Sequence, residues 1–361
     1  MTELNVREMI KKVFGAIAIL LCVSCTSVEK EVEPSLYKSA GFPVGTAISA
    51  NNLLTENPLQ DITLQQFNSI TMENDMKMRG IARSPEYNQW EIVDSVVHFC
   101  ERNNKRLHGH ALIWHSSIPN WLRDMDGEKD AIQDYVERYI PAYVSRYKGK
   151  VAGWDVVNEA ISDSAGSMRK TFWLKNLGED YVSQAFKLAH EADPEAILFY
   201  NDYNIERDTV KLHATLDMIE KMRLEGVPVS GIGLQMHIRM DIPNEAIAYS
   251  LQKCAETGLQ VHISELDIIF NKHNDAKDGG IQQYTELTDS MAMAQSDKYK
   301  AIAEMYQAVV PKEQQYGITV WGFDDGGSWI RGFFNIHDWP TLYDDSLKRK
   351  PAYYGFLEGL K

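Results

Sequence analysis

The chain has 361 residues, with 44% hydrophobic and 24% charged residues and a net charge of −14. That length and apolar content supply a large buried core and exclude the disordered and fibrous classes. The acidic balance, with no run of Lys and Arg to offset it, argues against a nucleic-acid partner.

The chain opens with a basic stretch, "REMIKK", and an apolar run of 11 residues, "VFGAIAILLCV". Spanning a bilayer takes about 20 residues, so this reads as a signal peptide over residues 1–25. "CVSC" then ends at Cys25 and resembles a bacterial lipobox, with Cys22 where Leu is usual. Lipidation of Cys25 would give an exported protein that meets a membrane only through its N-terminal anchor, at the cell surface or in the periplasm. Residues 26–39 begin "TSVEKEVEP" and read as a polar tether.

From Val44 onward, eight strand candidates follow: "VGTAIS" (44–49), "SITMEN" (69–74), "RLHGHALIW" (106–114), "VAGWDVVNE" (151–159), "AILFYND" (196–202), "GIGLQMH" (231–237), "QVHISELD" (260–267) and "GITVWGF" (317–323). Between them lie stretches of helical period, such as "EIVDSVVHFCERNN", "AIQDYVERYIPAYVSRYK" and "TVKLHATLDMIEKMRLEG". The alternation predicts an α/β fold, a (β/α)₈ TIM barrel forming a single catalytic domain over residues 40–361. A doubly wound open sheet is the competing fold. It is disfavoured because no glycine-rich phosphate loop follows the first strand. Residues 271–296 read as a long polar loop over one face. Cys100 and Cys254 fall on apolar helix faces and read as buried thiols.

The strand ends share a property. Glu73 and Asn74, His110, Asn158 and Glu159, Asn201 and Asp202, Gln235 and His237, Glu265 and Asp267, and Trp321 all lie at C-terminal ends. In a parallel barrel these ends meet on one face, where active sites form. Burying one carboxylate without partners costs several kcal/mol. Glu159 at the end of the fourth strand and Glu265 at the end of the seventh would face one another across the ring. Glycoside hydrolysis needs such a pair, one to protonate the leaving oxygen and one to attack the anomeric carbon or activate water.

At these residues the chain resembles glycoside hydrolase family 10, the endo-β-1,4-xylanases. "WDVVNEA" and "HISELDI" are similar to the family's two signature segments. "TMENDMK", "GHALIWHS", "FYNDYN", "GLQMH" and "VWGFDDGGSW" match in order, so the likeness covers residues 40–361. The resemblance implies a retaining xylanase acting on xylan or arabinoxylan, a monomer without cofactor or metal. It implies Glu159 as acid/base and Glu265 as nucleophile, with His237 bonded to Glu265 and Asp267 behind the imidazole. Asn158 and Gln235 would hold that neighbourhood. Glu73, Asn74 and Lys77 would bind sugar on the non-reducing side. His110, Trp114, Trp321 and Trp329 would line the sugar at the cleavage point and its neighbour, and Tyr203 would stack in the leaving-group half. One position departs from the family: Ser117 stands where a sugar-binding Gln is common.

Plainer readings compete with these. His108, His110 and His115 could suggest a metal, but no partners are aimed with them, and His108 and His115 read as structural. His213 and His262 read as structural or exposed, and "DMDGEKD" and "DDS" as solvated loops. Two other functions stay open: the same fold acting on another β-1,4-glucan, and a surface glycan-binding lipoprotein without catalysis. The acidic surface predicts no strong affinity for glucuronyl branches.

Overall fold

The computed structural model describes residues 35–361 except residue 165. The leader, the Cys25 lipidation site and most of the tether therefore lie outside the described residues. The domain starts before residue 40. A short helix, Leu36–Ser39, carries a fully buried Leu36, and the Ser35 hydroxyl donates to the Gln65 carbonyl at 2.7 Å. Burying that leucine contributes about 1.5–3 kcal/mol, which a solvated tether would forgo.

Eight parallel strands form the barrel: β1 (Val44–Ile48), β2 (Ser69–Met72), β3 (Arg106–Trp114), β4 (Val151–Asn158), β5 (Ile197–Asp202), β6 (Gly231–Leu234), β7 (Gln260–Ile269) and β8 (Gln315–Val320). Each pairs with its sequence neighbours, and β8 pairs with both β7 and β1. That last pairing closes the sheet, which an open doubly wound sheet cannot do. The main outer helices are α1 (Pro58–Gln66), α2 (Glu91–Arg102), α3 (Lys129–Arg146), α4 (Tyr181–Ala192), α5 (Thr209–Leu224), α6 (Asn244–Glu256), α7 (Asp289–Val309) and α8 (Pro351–Gly359). Local chemistry sets their starts. Asn57 accepts from the Leu59 and Gln60 amides ahead of Pro58, and Asp208 accepts from the Val210 and Lys211 amides.

Several boundaries differ from the sequence reading. β2 stops at Met72 and β4 at Asn158, so Glu73, Asn74 and Glu159 sit just beyond their strands. β6 stops at Leu234. Met236 has φ 64°, which breaks the strand, and His237–Arg239 forms a separate short strand on the end of β7. The predicted 271–296 loop is shorter, because α7 begins at Asp289, where the Thr288 hydroxyl caps the Met291 amide. Residues 272–273 and 280–281 form a small antiparallel pair inside it.

Period-two alternation puts Arg106, His108 and His110 of β3 on the inner face. In the lower barrel the Arg106 guanidinium lies 4.0 Å from the centre of the Tyr316 ring. The rings of His108, Phe199, His262 and Tyr316 meet edge-on or tilted at 4.5–5.8 Å. This polar-aromatic layer fills the lower core and leaves the upper layer for the strand-end groups. Outside the barrel, Tyr135, Tyr139 and Tyr143 of α3 and Tyr147 at its C-terminal cap follow one another four residues apart with rings 5.6–5.8 Å apart. Tyr143 meets Trp154 of β4 at 4.8 Å. Much of the tyrosine content is thus helix-to-sheet packing, each ring pair worth about 0.5–1.5 kcal/mol beyond its area.

Two glycines make room for these contacts. A Cβ on Gly109 would lie 2.1 Å from the Trp154 ring, and one on Gly233 would lie 2.1 Å from Asn201 Oδ1. The second bears directly on the upper layer. Cys100 and Cys254 are buried free thiols, and burial pushes both up to about 12.

Candidate active site

The upper layer is a hydrogen-bond network centred on Asn201 of β5. Its amide nitrogen donates to Glu265 Oε1 at 2.8 Å and to Asn158 Oδ1 at 2.9 Å. Ser264 Oγ donates to Asn201 Oδ1 at 2.6 Å, which fixes the amide's orientation. Gln235 Nε2 donates to Asn158 Oδ1 at 3.2 Å and to Glu159 Oε1 at 3.1 Å. Asn158 Nδ2 also reaches Glu159 Oε1, at 3.3 Å. Strands β4, β5, β6 and β7 thus tie both glutamates into one buried lattice. The partners that a buried carboxylate needs are present.

Glu265 has further partners. His237 Nε2 lies 3.3 Å from Glu265 Oε2, and His237 Nδ1 lies 2.9 Å from Asp267 Oδ2. Trp329 Nε1 donates to the same Asp267 oxygen at 2.9 Å. Burial opposes the imidazolium, but the Asp267 and Glu265 carboxylates outweigh it and lift His237 to about 10. Both ring nitrogens then donate. Burial pushes the Glu265 carboxyl up, yet His110, His237 and Lys77 outweigh it and hold it below its usual value. Glu265 is therefore a carboxylate at neutral pH.

His110 is oriented from below. Its Nδ1 lies 2.7 Å from Asp155 Oδ2, and His108 Nε2 lies 3.1 Å from Asp155 Oδ1. His108 also meets the Tyr316 hydroxyl at 3.0 Å. His110 Nδ1 stands 4.0 Å from Glu265 Oε1. His108 and His110 thus share one buried aspartate.

Lys77 is buried, with Nζ 4.7 Å from the Trp114 ring centre, 5.5 Å from that of Trp321, and 3.3 Å from Asn74 Oδ1. Burial lowers its pKa against the pull of Glu265, Glu73 and Glu159. Burial also raises Glu73, opposed by Lys77. Trp321 packs beside His110 at 5.2 Å and Trp329 beside His237 at 4.8 Å. Glu73, Asn74, Lys77, His110, Trp114, Trp321 and Trp329 therefore gather around Glu265 and His237. Ser117 is buried, its amide on the Trp114 carbonyl at 3.3 Å and its carbonyl on the Arg79 amide at 3.2 Å.

The Glu159 side is built differently. Glu159 adopts φ 61° just past β4. Its carbonyl accepts from Arg169 Nε at 3.1 Å, and Arg169 also donates to the Tyr203 hydroxyl at 3.0 Å. His115 Nδ1 lies 3.9 Å from Glu159 Oε2. His115 and Arg169 line a cavity of about 930 Å³ with Arg123, Lys170, Phe172 and Lys175 among its other walls. His115 thus stands beside Glu159 with its Nδ1 unbonded among the described residues, and is not a satisfied structural histidine. His262 is structural, bonded to the Thr319 hydroxyl at 2.9 Å. Arg169 and Asn201 had no assigned role in the sequence reading. Asn201 stood among the polar strand ends, whereas Arg169 lies in a loop with no periodic signal.

A closed (β/α)₈ barrel with two partnered glutamates at the C-terminal strand ends defines a barrel glycoside hydrolase. The chain belongs to glycosyl hydrolase family 10, whose model matches residues 34–359. It is 36% identical over 345 residues to endo-1,4-beta-xylanase A of Cellvibrio japonicus (strain Ueda107), covering 89% of this chain. The chain spans about half the length of that relative, 56%. It is 34% identical to endo-1,4-beta-xylanase B of Thermotoga neapolitana, with 95% of this chain and 96% of that protein covered. The structure of xylanase10C from Cellvibrio japonicus in complex with xylopentaose superposes with a TM-score of 0.84 at 34% identity. It covers 91% of this chain and 69% of that one.

Proposed function

We propose that the protein is a retaining endo-β-1,4-xylanase that cuts internal bonds of xylan. The observation that carries this reading is the contrast between two glutamates in one lattice. Glu265 is a carboxylate held by an imidazolium and an amide. Glu159 stands 3.9 Å from His115, which lines a cavity. Glu265 attacks the anomeric carbon while Glu159 gives its proton to the leaving oxygen, forming a covalent glycosyl-enzyme. Glu159 then takes a proton from water, which displaces Glu265 and restores both groups. Asn158 and His110 bond to the sugar at the cleavage point. Glu73, Asn74 and Lys77 hold its non-reducing neighbour, Trp114, Trp321 and Trp329 wall these positions, and Tyr203 faces the leaving-group half.

The substrate's branches enter this reading too. The net charge predicts indifference to glucuronyl groups, but the cavity beside Glu159 is locally basic. Asp163 pairs with Arg169 and Asp126 with Lys175. Arg123 and Lys170 have no carboxylate partner among the described residues. An anionic branch on the leaving-group half would meet both cations. Cys25 lipidation, export and membrane anchoring complete the proposal, on the leader sequence alone.

Product release from xylan, mixed-linkage glucan and carboxymethylcellulose tests the assignment. Short xylo-oligosaccharides from xylan, with rates on the glucans far lower, are expected. Equal rates on glucan point to a broader glucanase. Xylan binding without reducing-sugar release points to a capture protein.

A further inference from the structure

The acid/base segment hangs on a chain of polar groups whose inner members, Tyr200, Asp202 and Lys211, are fully buried. Tyr200 of β5 places its hydroxyl 3.0 Å from both the Ala160 and the Ile161 amides, the two residues after Glu159. That hydroxyl donates to Asp202 Oδ2 at 2.5 Å. The other Asp202 oxygen meets Lys211 Nζ at 2.8 Å. Lys211 rises from α5 with a side chain 1% exposed, and its ammonium lies 3.8 Å from the Tyr203 ring centre. It bonds Asp163 Oδ1 at 2.8 Å as well. The other Asp163 oxygen takes the Tyr203 hydroxyl at 2.5 Å and Arg169 at 3.1 Å. Arg169 returns to the Glu159 and Ile161 carbonyls, both at 3.1 Å.

The circuit therefore closes on both sides of Glu159. One branch holds the amides after it and the other holds its carbonyl. A non-glycine residue at φ 61° keeps that backbone only when its surroundings over-determine it. A buried ammonium between two carboxylates is costly unless geometry and hydrogen bonds offset its desolvation. Both costs are met in one network, and both of its branches end on the backbone of Glu159 and the two residues after it.

We propose that Lys211, acting through Asp202 and Tyr200 on one side and Asp163 and Arg169 on the other, positions the Glu159 carboxyl for proton transfer to the leaving oxygen. Lys211 and Tyr200 are positioning residues, since both are fully buried and act through other groups. The inference rests on Glu159 being the acid/base, so the experiment separates the two.

The experiment measures kcat/KM on aryl β-xylobiosides whose phenols run from dinitrophenol to unsubstituted phenol, for the parent, Glu159→Ala, Tyr200→Phe and Lys211→Met. A leaving group that departs unaided needs no acid. If Glu159 is the acid, Glu159→Ala loses activity on phenyl but not dinitrophenyl substrates, and azide raises its kcat on the latter. If the inference is right, Tyr200→Phe and Lys211→Met lose about 10- to 100-fold on phenyl substrates and nearly nothing on dinitrophenyl. Equal losses across all leaving groups, or no loss, overturn it even when Glu159→Ala behaves as expected. Should Lys211→Met fail to fold, Tyr200→Phe, which deletes one oxygen, decides alone.

Discussion

The two halves of the site solve different problems. Around Glu265, side chains act on a side chain. An imidazolium, an amide and a nearby ammonium hold one carboxylate charged, and the backbone is an ordinary strand. Around Glu159, the polar groups mostly hold backbone. Tyr200 takes two amides, Arg169 takes two carbonyls, and the residue itself is left-handed. A nucleophile needs its charge state fixed, which neighbouring charges supply. A proton donor must reach an oxygen and later a water, so its location matters most.

Removing each glutamate gives the sharpest test of that division. Glu265→Ala should lower activity by about 10⁵-fold or more on every substrate, whatever its leaving group. Glu159→Ala should lose about 10²–10⁴-fold on xylan. Rates of xylan hydrolysis for the two variants check this, and losses of equal size and pattern would break the comparison.

A smaller effect is expected where the halves join. Gly233→Ala puts a methyl against Asn201 Oδ1, moving the amide that reaches Glu265 and Asn158. Hydrogen bonds to a charged group are worth about 1.5–3 kcal/mol, so kcat should fall about 10- to 100-fold with the fold kept. An unchanged kcat would show that Asn201 is not needed there.

The charge held by His237 can be read through stability. Its folded pKa, about 10, stands above its ordinary value of 6.5. Its contribution is therefore full below pH 6.5 and is lost as pH rises through 10. Asp267→Asn removes the chief partner of the imidazolium. The parent should lose more urea resistance between pH 6 and pH 10 than this variant does. Parallel losses would mean that His237 is not charged by its carboxylates.

The smallest effect concerns the basic cavity. Replacing Arg123 and Lys170 by Ala should lower kcat/KM several-fold on glucuronoxylan and little on unbranched xylan, since exposed charges are screened. Equal effects on both polymers would remove the branch assignment.

The sequence made the Glu265 half far more legible than the other. Strand alternation exposes His108 and His110 on one face and carries Glu265 and Asp267 to one strand end. A period of two survives in any barrel strand. Glu159 itself was visible, but its support was not. Left-handed backbone is usually flagged by Gly or Asn, and here a glutamate occupies it. Lys211 sits in a helical pattern where a lysine reads as solvated, and only tertiary packing buries it between aspartates. The start of α7 was hidden in a similar way. Gln295 and Ser296 are buried polar residues, so the polar run up to residue 296 reads as loop. His115 reads as structural in the sequence because no one-dimensional signal relates it to Glu159.

In the proposed mechanism Glu265 bonds covalently to the sugar while Glu159 only moves protons. The most direct test uses a dinitrophenyl 2-deoxy-2-fluoro-β-xylobioside, which slows breakdown of the glycosyl-enzyme, followed by peptide mass mapping. One added fluoroxylobiosyl mass is expected, on the peptide that contains Glu265, with release of one dinitrophenolate per chain. A label on another residue, or turnover that yields inverted product with no label at all, would contradict it.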